Sequence, residues 1–179
     1  MIFTSRHAPA HSSYPQISHN HKHTTGHCLW GGEEGKREIK QAIYHYVAGE
    51  APVPINEKIC ATFGSNIAKR DQNLVIAVLH FLASENLRDA NELLTIFKKE
   101  QKTRNAPCDS PLIVFITQLL EVCRRDATPL YKQLVNANLK ILDFDERVFE
   151  LIEGPIGQKF FNIQPKINPM MQMMQQLLN

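Results

Sequence analysis

Hydrophobic positions recur every three or four residues along most of the chain, a spacing that predicts amphipathic α-helices. The most apolar run spans residues 112–122. Ser110 precedes it as an N-cap and Pro111 suits the first helical position, so we expect a buried helix here. A membrane span needs ~20 apolar residues, and this run is about half that length with polar residues inside it. We therefore predict the central helix of an all-α fold, on which the other helices stack.

Further helices are predicted on both sides of this run, from their apolar stripes and from polar residues that can cap their first turns. A helix beginning near residue 35 and a weaker one over residues 55–63 precede it. Gly154 and Pro155 interrupt the last long helix, where we expect a kink or a restart because proline removes an amide donor. The predicted N-caps of the other helices are Asp71, Asn86, Thr128 and either Asp143 or Asp145.

The predicted helix starts are evenly spaced. They fall near residues 36, 71, 111 and 145, about 35–40 residues apart, with a second helix in each interval. This spacing is typical of stacked helix hairpins of the TPR or HEAT kind. We predict an all-α fold, an α-solenoid of TPR-like antiparallel helix hairpins over residues 28–167. Residues 1–27 are predicted to be a disordered leader, and residues 168–179 a Met-rich C-terminal helix.

Composition narrows the classes of function. The formal net charge of +2 is small and evenly spread, so it gives no argument for nucleic acid or an anionic membrane. No apolar segment follows Met1, and the four cysteines are scattered as in cytosolic proteins with reduced thiols. The leader holds six of the eight histidines, but no carboxylate or cysteine pattern completes a metal site. We expect no metal and no cofactor.

Two features bear on activity. No Gly-rich phosphate loop, HExxH or GxSxG motif occurs, so we expect a binding protein with no enzymatic activity. Residues 169–178 hold four of the five methionines, a residue type that adapts to irregular grooves and is over-used at binding surfaces. The alternative is a closing helix packed on the previous repeat.

Phe160 and Phe161 are neighbours, about 100° apart on a helix, so one can face the core while the other faces a partner. We expect binding by apolar complementarity, with a few aromatic or methionine anchors. The predicted partner-binding residues are Phe160, Phe161, Ile163, Met170, Met173, Met174 and Leu177.

Four segments, in their order and spacing, resemble the C-terminal half of one family. They are AVLHFL at 77–82, DAN at 89–91, RDATPLY at 125–131 and IGQKFFNIQPK at 156–166. Trp30 and YHYV at 44–47 resemble the helix hairpin before them. The family is Golgi-to-ER traffic protein four, the adaptor of the guided-entry (GET) pathway for tail-anchored membrane proteins. The likeness covers roughly residues 28–179.

The resemblance implies a cytosolic α-solenoid adaptor that helps to hand newly made tail-anchored proteins to a targeting ATPase for delivery to the ER membrane. It implies no direct membrane insertion and no nucleic-acid binding. In the family, the C-terminal half holds a ubiquitin-like partner or, in animals, a BAG-domain scaffold. The N-terminal half, which meets the ATPase, is replaced here by the histidine-rich leader, which puts ATPase docking in doubt. The alternatives are a helical-repeat scaffold of another pathway and a metal-handling protein that uses the leader.

Overall fold

A computed structural model of the chain describes residues 33–164, with side chains from residue 38. Within this range every regular element is helical and no strand occurs, so the prediction of an all-α solenoid is confirmed. The predicted leader, and the predicted Met-rich helix, lie outside the described residues. The elements are α1 (Glu33–Ala48), α2 (Pro52–Phe63), α3 (Ile67–Ala83), α4 (Leu87–Thr103), α5 (Pro111–Arg124), α6 (Thr128–Leu142), α7 (Glu146–Leu151), a π-turn (Ile152–Ile156) and α8 (Gly157–Phe161).

Three predicted N-caps are confirmed, since each side chain accepts a hydrogen bond from an otherwise unpaired amide of the first helical turn. Ser110 caps α5, and Asn86 caps α4 by accepting from the Asp89 amide at 3.0 Å. Asp145 caps α7 through the Arg147 amide at 3.2 Å. The weaker helix is also confirmed, although α2 begins at Pro52, three residues before the predicted start.

Two other predicted caps are wrong. The side chain of Asn66 caps α3, accepting from the Lys69 amide at 3.1 Å, and Asp71 lies buried inside that helix. Asp71 stands directly before an apolar stripe and therefore mimics a cap in the sequence, but its carboxylate binds Arg70 and Ser110. Thr128 is the first helical residue of α6, and the residue before it, Ala127, provides no side-chain hydrogen bond.

The prediction that α5 is the central helix is also wrong. Its main packing partners are α3, α4 and α6, and Val114 on its outer face is 45% exposed. Helix α3 instead packs against α1, α2, α4, α5, α7 and the π-turn, and its Leu74, Val78 and Leu82 are fully buried. The reason is positional, because α3 has neighbours from the first hairpin on one side and from the last helices on the other.

The predicted kink at Gly154 and Pro155 is confirmed. Gly154 leaves helical geometry with φ −86° and ψ −106°, and the helix widens into the π-turn before α8 begins. In this turn the Gly157 amide donates to the Ile152 carbonyl, five residues back, which is the π-helical pattern. The kink changes the direction of the chain and places α8 against α6.

Candidate protein-interaction groove

A groove of about 240 Å³ lies between α6 and the segment from the π-turn to residue 164. Four apolar side chains form what we call its floor, and four polar ones form its rim. Its volume is below the ~300–1,000 Å³ typical of small-molecule sites, so the groove suits the side chains of a peptide segment. The floor is Tyr131, Val135, Ile152 and Ile163, and the rim is Lys132, Asn136, Glu153 and Gln164.

Tyr131 joins the two walls of the groove. Its ring stacks on Phe161, with centroids 4.2 Å apart and planes inclined by 24°. Its hydroxyl donates a hydrogen bond to the backbone carbonyl of Ile152 in the π-turn. Burial raises the pKa of Tyr131 well above its usual range, so the hydroxyl stays a donor at neutral pH. These contacts hold α6 at a fixed separation from the turn.

Gly157 allows this close approach. A Cβ atom at this position would lie 3.1 Å from the Ile152 carbonyl oxygen and 3.7 Å from the Tyr131 hydroxyl. Both of these atoms are already fixed by their mutual hydrogen bond. A side chain at this position would therefore require the turn to move by a few tenths of an ångström, and glycine avoids that shift.

A tight turn after α8 forms the far wall. Asn162 has φ 50°, in the left-handed region that asparagine tolerates, and the Ile163 amide donates to the Gly157 carbonyl at 3.0 Å. This bond reaches six residues back, one residue further than the long bond of a Schellman cap, and it folds Ile163 back towards its own helix. Lys159 anchors α8 from the other side, donating to the Ala83 carbonyl at 2.9 Å.

The described partner-binding candidates occupy three different environments. Phe161 is 5% exposed and belongs to the core, whereas Phe160 is half-buried at the edge of it. Ile163 lines the groove. The structure therefore separates the two phenylalanines as expected, although their role in binding stays a prediction. The remaining candidates, Met170, Met173, Met174 and Leu177, lie outside the described residues.

Sequence reasoning missed the other half of the groove. Tyr131 and Val135 had the spacing of an ordinary core stripe, and both are indeed almost buried. The available signal was the Gly154–Pro155 interruption, because a helix that breaks beside another helix leaves space between them. Leu139 lies four residues after Val135 of the floor, on the same face of α6, and is 44% exposed. The apolar surface thus extends one turn past the groove.

The same part of the chain also bears on metal, membrane-spanning and thiol sites. Between residues 38 and 164, no group of three or more His, Cys, Asp or Glu side chains is arranged to hold a metal ion. No helix in the described range is long and apolar enough to cross a membrane. Burial raises the pKa of Cys60 and raises that of Cys123 to about 12, which leaves both thiols poorly nucleophilic.

The described residues thus define a helical-solenoid protein whose groove suits a peptide segment. The family model for Golgi to ER traffic protein 4 (GET4) matches residues 5–178, and the chain belongs to this family. The match begins well before residue 28, where the resemblance in the sequence was expected to start.

Two relatives show how much of the family's length is present. Protein GET4 of Arabidopsis thaliana is 33% identical over 128 residues, which are 70% of this chain and 39% of that protein. The crystal structure of C. therm. Get4 superposes with a TM-score of 0.59 and 25% identity, covering 80% of this chain and 52% of that one. The chain therefore spans between two-fifths and about half of the length of these relatives.

Proposed function

We propose that this chain is a non-enzymatic cytosolic adaptor in the delivery of tail-anchored proteins to the ER membrane. It binds a segment of a ubiquitin-like subunit or of a BAG-domain scaffold in the groove between α6 and α8. Family membership supports the pathway. The observation that carries the binding site is the apolar floor of a groove too small for most organic ligands.

The groove has the makeup of a peptide-binding site. Its floor is apolar, and the stacked Tyr131 and Phe161 rings make it rigid, so little conformational entropy is lost on binding. Lys132 and Glu153 place both signs of charge on the rim. A partner segment would insert one or two apolar anchors and bond to the rim through polar groups, which is how a few residues dominate most interfaces.

The experiment uses the full chain with each candidate partner from the same organism, and isothermal titration calorimetry to measure affinity. Ile163→Asp puts a carboxylate into the floor, and we expect binding at least about tenfold weaker, the loss of a modest anchor. Asn136→Trp fills the groove from its exposed rim and should weaken binding similarly. Leu130→Asp changes a residue that is 50% exposed on another face of α6, and should change affinity less than twofold.

Circular dichroism and thermal melts establish that each variant is folded before its affinity is interpreted. A pull-down with the targeting ATPase tests in parallel whether this chain also docks to it. If a folded bait captures neither candidate partner, the proposal fails and a scaffold in another pathway becomes the better explanation. Equal losses for Leu130→Asp and Ile163→Asp would place the interface away from the groove.

A further inference from the structure

We propose that the uncharged, methionine-rich segment at residues 169–178 docks in this groove within the same molecule and covers it until a partner displaces it. The proposal depends on the proposed function only for the competition with a partner. Docking itself is a property of this chain and can be tested without any partner.

The last described residues of the chain lie in the groove itself. Ile163 and Gln164 are themselves lining residues, so the backbone passes out along the wall of the groove. Five residues, 165–169, separate Gln164 from Met170. Such a stretch reaches at most ~20 Å even when fully extended. The methionines are therefore tethered beside the groove at an effective concentration on the order of millimolar.

Tethering makes a weak contact sufficient. At a millimolar effective concentration, a segment whose intermolecular Kd is only ~100 μM occupies its site about nine-tenths of the time. That affinity corresponds to roughly 5–6 kcal/mol, well below that of a stable protein complex. Two or three apolar side chains entering the floor supply an interaction of this size.

The segment and the lining of the groove are chemically complementary. The floor is apolar, and Lys132 and Glu153 on the rim balance each other in formal charge. Residues 169–178 carry no ionisable side chain, and their apolar positions recur at three- and four-residue intervals with glutamines between them. Methionine side chains are flexible enough to fill an irregular groove, and glutamine amides can bond to Asn136 and Gln164. The apolar and amide side chains of the segment thus match the apolar floor and the two amides of the rim.

The apolar surface of α6 extends beyond the groove. Leu139 lies one helical turn beyond Asn136 and is 44% exposed. A segment of ten residues cannot fit wholly within a groove of about 240 Å³, so its later positions, such as Leu177, have the exposed Leu139 to cover. Val135 in the floor and Leu139 are four residues apart on α6, so the two apolar side chains lie on one face of that helix.

The experiment places a photoreactive residue in the full chain. The test variant is Asn136→p-benzoyl-L-phenylalanine, at an exposed position on the rim. The matched control is Leu130→p-benzoyl-L-phenylalanine, at an exposed position on another face of α6. After irradiation at low protein concentration, mass spectrometry of the monomer band identifies the linked peptides. We expect position 136 to link to residues 169–178 with at least fivefold higher yield than position 130. In the same chain, Met173→Glu with Met174→Glu should lower that yield at least fivefold.

Three results would overturn docking of this segment within the same molecule. They are no link from position 136 to the segment in the monomer band, equal yields from both positions, and links found only in the band of a cross-linked dimer. Adding the partner separates this proposal from the proposed function. A link that forms in the free chain and is lost when the partner is added supports both proposals. Because the docked segment covers the groove about nine-tenths of the time, Met173→Glu with Met174→Glu should raise the partner's apparent affinity about tenfold. A link that persists when the partner is bound supports docking of the segment and contradicts the proposed binding site.

Discussion

Arg70 is a fully buried arginine whose guanidinium group is bonded on every side. Its Nε donates to Asp71 at 2.9 Å, while its terminal nitrogens donate to Gln101 at 2.7 Å and to the Pro107 carbonyl at 2.9 Å. Asp71 in turn accepts from the Ser110 hydroxyl at 2.6 Å. Charges are tolerated in a core only when such a set of bonds is complete. The network fastens the α4–α5 loop onto α3.

Removing this guanidinium should therefore be expensive. We expect Arg70→Met to lower the free energy of unfolding by about 3–5 kcal/mol, because Asp71 and Gln101 remain buried without their partner. Urea unfolding followed by circular dichroism measures the change. The matched control is Arg124→Met, which breaks an ion pair between Arg124, 65% exposed, and Glu121. Because an exposed ion pair contributes little to stability, this variant should leave the urea midpoint nearly unchanged, and equal losses in the two variants would contradict this account.

At the scale of the helices, several ends are closed by a residue with positive φ that is not glycine. Glu50, Glu85, Asn105, Asp126 and Asn162 all have φ between 49° and 62°. Each follows a helix and reverses the chain, a position where glycine is usually preferred. A residue with a Cβ atom is strained in this conformation, so replacing it by glycine removes a small amount of strain.

Asp126 after α5 and Asp143 after α6 form a matched pair for measuring that strain. Both are exposed carboxylates at a helix C-terminus, where the helix dipole disfavours negative charge, but Asp126 has φ 50° and Asp143 has φ −78°. We expect Asp126→Gly to raise Tm by about 2 °C, or roughly 0.5 kcal/mol. Asp143→Gly should leave Tm unchanged or lower it, because glycine gains flexibility when unfolded. Scanning calorimetry measures both, and a similar rise in each variant would assign the gain to charge.

The contact between α1, α3 and α7 brings titratable groups from different parts of the chain together. The His80 ring of α3 lies 4.5 Å from that of Tyr44 on α1, and Lys40 pairs with Asp145 at 3.3 Å. Burial lowers the pKa of His80 and Arg147 lowers it further, while Asp145 acts in the opposite direction. Neutral His80 is thus the form that this contact accommodates.

This pKa shift sets a direction for the dependence of stability on pH. Because the pKa of His80 is lower when folded than when unfolded, the unfolded chain binds the proton more readily. The contribution of neutral His80 to the stability of the fold is fully present above its pKa of ~6.5 in the unfolded chain. It is lost as the pH falls through the lower pKa of the folded chain. We expect His80→Phe, which keeps a ring against Tyr44, to flatten the loss of stability below pH 6.5. Urea midpoints between pH 5 and 8 measure the slope, and identical slopes would show that His80 does not contribute.

At the scale of the whole molecule, local features were predictable and long-range ones were not. The caps at Ser110 and Asn86 could be predicted because the capping side chain lies next to the helix that it caps. The role of Asp71 could not, since its partner Ser110 is 39 residues away. The groove likewise depends on Tyr131 meeting a carbonyl 21 residues further along the chain. Ile163 was predicted from the sequence as a partner-binding residue, but its place in the wall of the groove depends on the turn at Asn162.

The position of α3 also determines how the described helices unfold. Solenoids can open one repeat at a time, because each repeat usually contacts only its neighbours. Here α3 packs against α1 and α2 at one end and against α7 and the π-turn at the other. Opening either end therefore disrupts the same helix, and we expect these helices to unfold as one cooperative unit.

Two buried thiols test this cooperativity. Cys60 in α2 and Cys123 in α5 are each 5% exposed, and burial raises the pKa of both, so neither should react until the structure opens. In a Cys28→Ser, Cys108→Ser background, labelling by a disulfide reagent across a urea series gives an opening free energy for each thiol. We expect the two values to agree within about 0.5 kcal/mol and to fall with the same slope. The half-buried Cys108, restored alone with the other three replaced by serine, should react with little dependence on urea. A lower opening energy and shallower slope for Cys60 would show that α1 and α2 separate from α3 before the rest of the fold opens.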